Sequence, residues 1–171
     1  MSLRSARSGN RPNVTAKPPQ NGSTRRPCAC ALQSGRRCGI CHRFPDLNFV
    51  SVESGVGWIP YALEALDWQW QNCGVGVEHP EYDLLPSEYF RRQIYGCFWF
   101  ERESARAAIQ QIGADNVLYE TDFPHPTSMS PGPASIAERP DDYLRANFGD
   151  LDAASLHKIL HDNAARIYHL D

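Results

Sequence analysis

The chain has no Asp or Glu before Asp46 and no Phe, Trp or Tyr before Phe44. Residues 1–45 hold nine Arg and Lys; residues 46–171 hold the other eight and all twenty acids. The net charge of −3 therefore averages two unlike pieces. Without interleaved aromatics the basic piece has nothing on which to stack bases, which excludes that mode of nucleic-acid recognition. No apolar run reaches the roughly eighteen residues of a membrane-spanning helix. No apolar stretch follows Met1, so no secretory leader is expected and a cytoplasmic location is. No His-x-His pair occurs in the 171 residues, which matters for the metal chemistry considered below.

Residues 1–43 are rich in Ser, Arg, Pro, Gly and Asn and follow no helical or strand period. Such a segment buries too little surface to offset its ordering entropy, so it is expected to be disordered. Its Cys28-x-Cys30 and Cys38-x-x-Cys41 spacing superficially suits a four-thiolate zinc site. No strand or knuckle pattern surrounds these cysteines. An Arg-rich, acid-free segment also has the composition of a mitochondrial transit peptide, against which the cysteines argue.

From Phe44 the pattern changes, and residues 44–171 read as the folded part. Leu47–Val52 is a short apolar run suited to a buried strand. Ile59, Leu63, Leu66 and Trp70 line one face of a helix over Ile59–Asn72, with Gly74 just beyond it. Gly74–Pro86 is expected to be loop, with a helical turn opening at Pro86–Tyr89. Ile94–Phe100 predicts a second strand, Arg102–Ile112 a helix stopped by Gly113, and Asn116–Thr121 a third strand. Thr127–Arg139 is a Pro-, Ser- and Gly-rich loop. Tyr143–Phe148 predicts a short helix. Asp152 caps a last helix whose inner face is Leu156, Ile159, Leu160, Ala164 and Ile167. This β-α-β-α-β-α order implies an α/β fold with parallel strands. Three strands cannot close a barrel, so open edges are expected.

Three strings carry a resemblance: Arg43-Phe44-Pro45-Asp46-Leu47-Asn48-Phe49-Val50-Ser51-Val52-Glu53-Ser54-Gly55, Leu118-Tyr119-Glu120-Thr121-Asp122-Phe123-Pro124-His125, and Ile159-Leu160-His161-Asp162-Asn163-Ala164-Ala165-Arg166-Ile167-Tyr168. Together they resemble the amidohydrolase-related family that includes aminocarboxymuconate-semialdehyde decarboxylase. The resemblance implies the last three β/α units of a (β/α)8 barrel. It also implies one divalent metal, zinc foremost, at the C-terminal mouth. Asp122 matches the metal-binding Asp that ends strand eight. Glu53 stands where the family places a catalytic His. A family-like Ser34-Gly35 precedes a stretch without resemblance, and a shifted reading frame or misjoined exon near residues 34–42 is the expected cause.

Each candidate has a structural alternative. Asp122 follows an apolar strand, where an Asp caps a loop or serves a site; the resemblance favours the site. Glu53 ends a buried run, where a carboxylate needs a partner; an acid/base role is expected. His125, three residues past Asp122, is a secondary catalytic candidate. Glu101 reads as a solvent-facing loop acid. His157 and His161 are spaced to share a metal, but with no third ligand evident they read as surface histidines. The resemblance implies a metal-dependent hydrolase acting on a small carboxylic-acid or cyclic substrate, or alternatively a non-oxidative decarboxylase. A catalytic zinc takes three protein ligands, and Asp122 is the one credible here. The chain alone is thus expected to be inactive and to bind metal weakly. A zinc or nucleic-acid module built on the cysteines is the rival from another class. Neither nucleic acid nor membrane is the expected partner, and a homodimer is left open.

Overall fold

A computed structural model describes residues 39–133 and 135–170. Its sheet has three parallel strands: β1 (Phe49–Ser51), β2 (Ile94–Phe98) and β3 (Val117–Tyr119). β2 lies in the middle, with Phe49 opposite Ile94 and Gly96 opposite Val117. The outer edges of β1 and β3 have no strand partner among the described residues.

The helices follow the apolar periods. Ile59–Asn72 (α2) buries Ile59 and Leu63 and ends as expected, with Gly74 left-handed at φ 71° just beyond its cap. Glu103–Ile112 (α5) buries Ala105, Ala108 and Ile109 and stops at Gly113. Pro140–Phe148 (α6) starts three residues earlier than expected because Pro140 is pre-set for a first helical turn. These helices pack against one face of the sheet, through Phe49, Ile94, Phe98 and Val117. Tyr95, Cys97 and Leu118 point the other way into a smaller cluster with Val50, Ala164 and Ile167, as the two-residue strand period requires. Gly96 lets α2 approach closely: a Cβ there would lie 2.7 Å from Ile59 Cδ1 and 3.0 Å from Val56 Cγ1.

Three expectations need correction. Ile40–Arg43 (α1), placed by the sequence reading in a disordered segment, is a helical turn with Cys41 buried in the main core. Contacts some fifty residues away hold it, and no local pattern reports those. Arg92 Nη2 donates to the Cys41 carbonyl at 2.5 Å, and Gln93 Nε2 donates to the carbonyls of Phe44 and Leu47 at 3.0 and 2.8 Å. Residues 1–38, with Cys28, Cys30 and Cys38, lie outside the described residues. Within the expected loop Gly74–Pro86, Val75–Glu78 (α3) forms one helical turn. The turn at Pro86 extends into a full helix, Pro86–Gln93 (α4), whose Glu88 carboxylate accepts from the Leu85 N–H at 2.6 Å.

The last helix is not uniform. Ala153–His157 (α7), capped by Asp152, passes through a π-helical turn at Lys158–Asp162 into Asn163–Tyr168 (α8). Leu160, expected to face inward, is 42% exposed, while Asn163 is fully buried. Asn163 Nδ2 donates to the carbonyls of Ala114 and Val117 at 2.7 and 2.8 Å. These bonds satisfy backbone acceptors beside β3 and account for a polar residue in the core.

Candidate active site

The strand ends place the acidic groups. Glu53 lies two residues past β1 and Asp122 three residues past β3, with φ of 54° and 56°. Both occupy the left-handed region, uncommon without glycine. Each turns the chain sharply just beyond the C-terminal ends of parallel strands, where open α/β sheets gather ligands. Although β2 separates their strands, the two ends are tied: the Glu53 N–H donates to Glu120 Oε1 at 2.8 Å.

Glu53, Asp122 and His125, the three residues singled out in the sequence, meet there. His125 Nδ1 lies 2.6 Å from Asp122 Oδ1 and 3.5 Å from Glu53 Oε1. Thr127 Oγ1 donates to Asp122 Oδ2 at 2.9 Å. One ligand atom from each of Glu53, Asp122 and His125 falls within 4.8 Å of the others. The Asp122 side chain is 3% exposed, whereas those of His125 and Glu53 are 57% and 51% exposed. A sheltered carboxylate thus sits beneath two accessible groups. The His125 hydrogen bond is the main cause holding the Asp122 carboxyl below its ordinary range, with help from Thr127 and from the His125 charge. Reciprocally, that hydrogen bond and the charges of Asp122 and Glu53 raise the His125 imidazole. Two carboxylates and one imidazole form a donor set suited to a divalent cation.

Sequence reasoning missed Glu120 and Thr127. Burial raises the Glu120 carboxyl, the nearby Asp122 and Glu53 charges add to this, and the Glu53 N–H opposes it. Its partner Cys97 is pushed up to about 12, chiefly by burial and then by Glu120. One signal was available: Glu120 is two residues past the buried Leu118 and so shares its face. Glu101, read as a solvent-facing acid, instead accepts from the N–H groups of Val56 and Gly57 at 2.7 and 3.0 Å. It clips the loop after β1 to the end of β2. Its partners lie over forty residues away, beyond local pattern.

Beside the cluster lies a cavity of about 490 Å³, lined by Trp99, Phe100, Thr127, Met129 and Tyr143 among others. Trp99 Nε1 donates to the Thr127 carbonyl at 3.1 Å. Thr127 therefore joins the aromatic recess to the Asp122 carboxylate.

Parallel strands joined by helices, with carboxylates and an imidazole at their C-terminal ends, define an α/β scaffold of the kind that builds sites on strand-end loops. The chain belongs to the amidohydrolase family, whose model matches residues 31–170. No curated protein matches it. Among solved structures it is similar to 5-carboxyvanillate decarboxylase from Sphingomonas paucimobilis, with 27% identity and a TM-score of 0.61 over 82% of this chain and 39% of that one. It is also similar to an amidohydrolase from Mycobacterium avium subsp. paratuberculosis, with 23% identity and a TM-score of 0.59 over 80% of this chain and 32% of that one. A third similarity is to dihydroxybenzoic acid decarboxylase from Polaromonas sp., solved with bound manganese and 2-nitroresorcinol. There the identity is 22% and the TM-score 0.56, over 81% of this chain and 40% of that one. The chain thus spans about two fifths or less of these proteins and resembles part of their barrels. Among the described residues no helix is long and apolar enough to cross a membrane.

Proposed function

We propose that this chain supplies the last three β/α units of a metal-dependent (β/α)8 carboxy-lyase acting on a small aromatic carboxylic acid. The observation that carries the reading is the convergence of Glu53, Asp122 and His125 at the strand ends. The open edges of β1 and β3 support an incomplete barrel, since closure needs further strands. Similarity to 5-carboxyvanillate decarboxylase favours decarboxylation. The recess lined by Trp99 and Phe100 suits an aromatic ring. Hydrolysis, the other reading, rests on family membership alone.

Asp122 would hold the divalent ion, zinc or manganese, with Glu53 and His125 beside it. When bound, the ion would supply positive charge to orient a substrate carboxylate. The chain's own groups have separate tasks. Thr127 fixes one Asp122 oxygen. Loss of CO2 from an aromatic acid leaves a ring carbon that needs a proton, and His125 and Glu53 are the accessible groups of the cluster that could deliver it. The remaining ligands would come from outside the described residues, and the 171-residue chain, which has no His-x-His pair, is expected to show no turnover alone.

Mn2+ titration followed by electron paramagnetic resonance tests the reading. Weak binding that falls at least tenfold in Asp122→Asn is the expected result. Binding unchanged in both Asp122→Asn and Glu53→Gln would remove the metal role. Release of CO2 from 2,6-dihydroxybenzoate by the chain alone would overturn the expected lack of turnover.

A further inference from the structure

The sequence leaves His157 and His161 as a pair without a third ligand; the fold provides one. In an α-helix, residues five apart point about 140° away from each other. The π-helical turn at Lys158–Asp162 runs its hydrogen bonds i→i+5, which brings residues five apart together. Asp162 therefore swings onto the face of His157. Nδ1 of His157 and Nδ1 of His161 each lie 2.9 Å from the same oxygen, Asp162 Oδ1. The two rings are 5.1 Å apart, and one ligand atom from each of the three residues lies within 4.8 Å of the others.

Three further observations favour a ligand at this place. The side chains are 64%, 67% and 48% exposed, so an ion reaches them without disturbing the core. Ile159 and Asn163, on the opposite face, are buried and bolt this turn to the sheet. The neighbouring cations are engaged elsewhere: Lys158 Nζ pairs with Asp115 at 2.6 Å, and Arg166 Nη2 donates to the Asp115 carbonyl at 3.0 Å.

We propose that His157, His161 and Asp162 form a second, surface metal site that takes an imidazole-seeking transition-metal dication such as Ni2+, Zn2+ or Cu2+. Two imidazoles and a carboxylate on one rigid turn leave the outer coordination positions to water. The set is softer than the cluster around Asp122, so Ni2+ prefers it and Mn2+ does not. The site owes nothing to the proposed catalytic reading and stands without it.

Ni2+ titration of the full chain, followed through the histidine Cε1–H resonances, tests the proposal. One equivalent should broaden His157 and His161 before His125. Thermal unfolding should move to higher temperature with Ni2+, because an ion bound only by the folded state stabilises it. His161→Ala should weaken this binding at least tenfold and abolish the thermal shift; Asp162→Asn should weaken it several-fold. All three side chains are exposed, and circular dichroism checks that each variant stays folded. Unchanged His157 and His161 resonances at stoichiometric Ni2+, or an affinity unchanged from the parent's in both His157→Ala and His161→Ala, would overturn the site.

Discussion

Asp122 Oδ1 and His125 Nδ1 stand 2.6 Å apart, joined across a single turn after β3. The pair keeps its charges between the depressed Asp122 pKa and the raised His125 pKa. The stability His125 contributes is complete below its unfolded value and is lost as pH rises through its folded value. That from Asp122 is present above its unfolded value and is lost as pH falls through its folded value. We expect the His125 resonance to titrate above the ordinary imidazole midpoint of about 6.5. Asp122→Asn should move the midpoint down. A midpoint indifferent to that substitution would contradict the pairing.

Gly96 is the contact point between α2 and the sheet. Gly96→Ala drives a methyl into Ile59 Cδ1 and should cost about 1–3 kcal/mol, the usual range for overpacking. Ile59→Val removes the obstructing atom, so the double variant should lose less than the sum of the singles. Urea unfolding of the four proteins measures this, and strict additivity would refute the clash.

Asn163 holds two buried carbonyls. Asn163→Leu removes the amide donor from both; the Ala114 carbonyl keeps the Val117 N–H at 3.4 Å, and the Val117 carbonyl left without its donor should cost about 1–3 kcal/mol. Asn163→Asp replaces a donor with an acceptor and should cost at least as much. Denaturation midpoints close to the parent's for both variants would show that the carbonyls find other partners.

The cysteines should differ in reactivity. Burial raises Cys41 and pushes Cys97 up to about 12, while Cys73 is exposed. A thiolate is the reacting species, so iodoacetamide at mildly alkaline pH should label Cys73 and spare Cys41 and Cys97 until denaturant is added. Peptide mass spectrometry reads the order, and early labelling of Cys97 would contradict its burial.

The helix over Ile59–Asn72 was legible residue for residue because its apolar period and its stop both lie within the segment. The strands were legible in position but ran long, since hydrophobicity continues past the ladder at Trp99. Asp122, Glu53 and His125 were legible because strand ends and the family resemblance mark them. Glu120 and Glu101 were not, because their partners come from other strands and loops. The π-helical turn left no sequence signal, and with it went both the exchange of Leu160 for Asn163 and the placing of Asp162.

The left-handed turns at Glu53 and Asp122 also bear on how such a chain changes over time. Each holds a Cβ where glycine is at ease, at a cost of roughly 1–2 kcal/mol. Glycine at either position would relieve that conformation while erasing a carboxylate. If nothing selects for the cluster, random substitution should accumulate Gly or Asn at 53 and 122, and the protein would grow more stable as it does. The two acids there stand against that gradient.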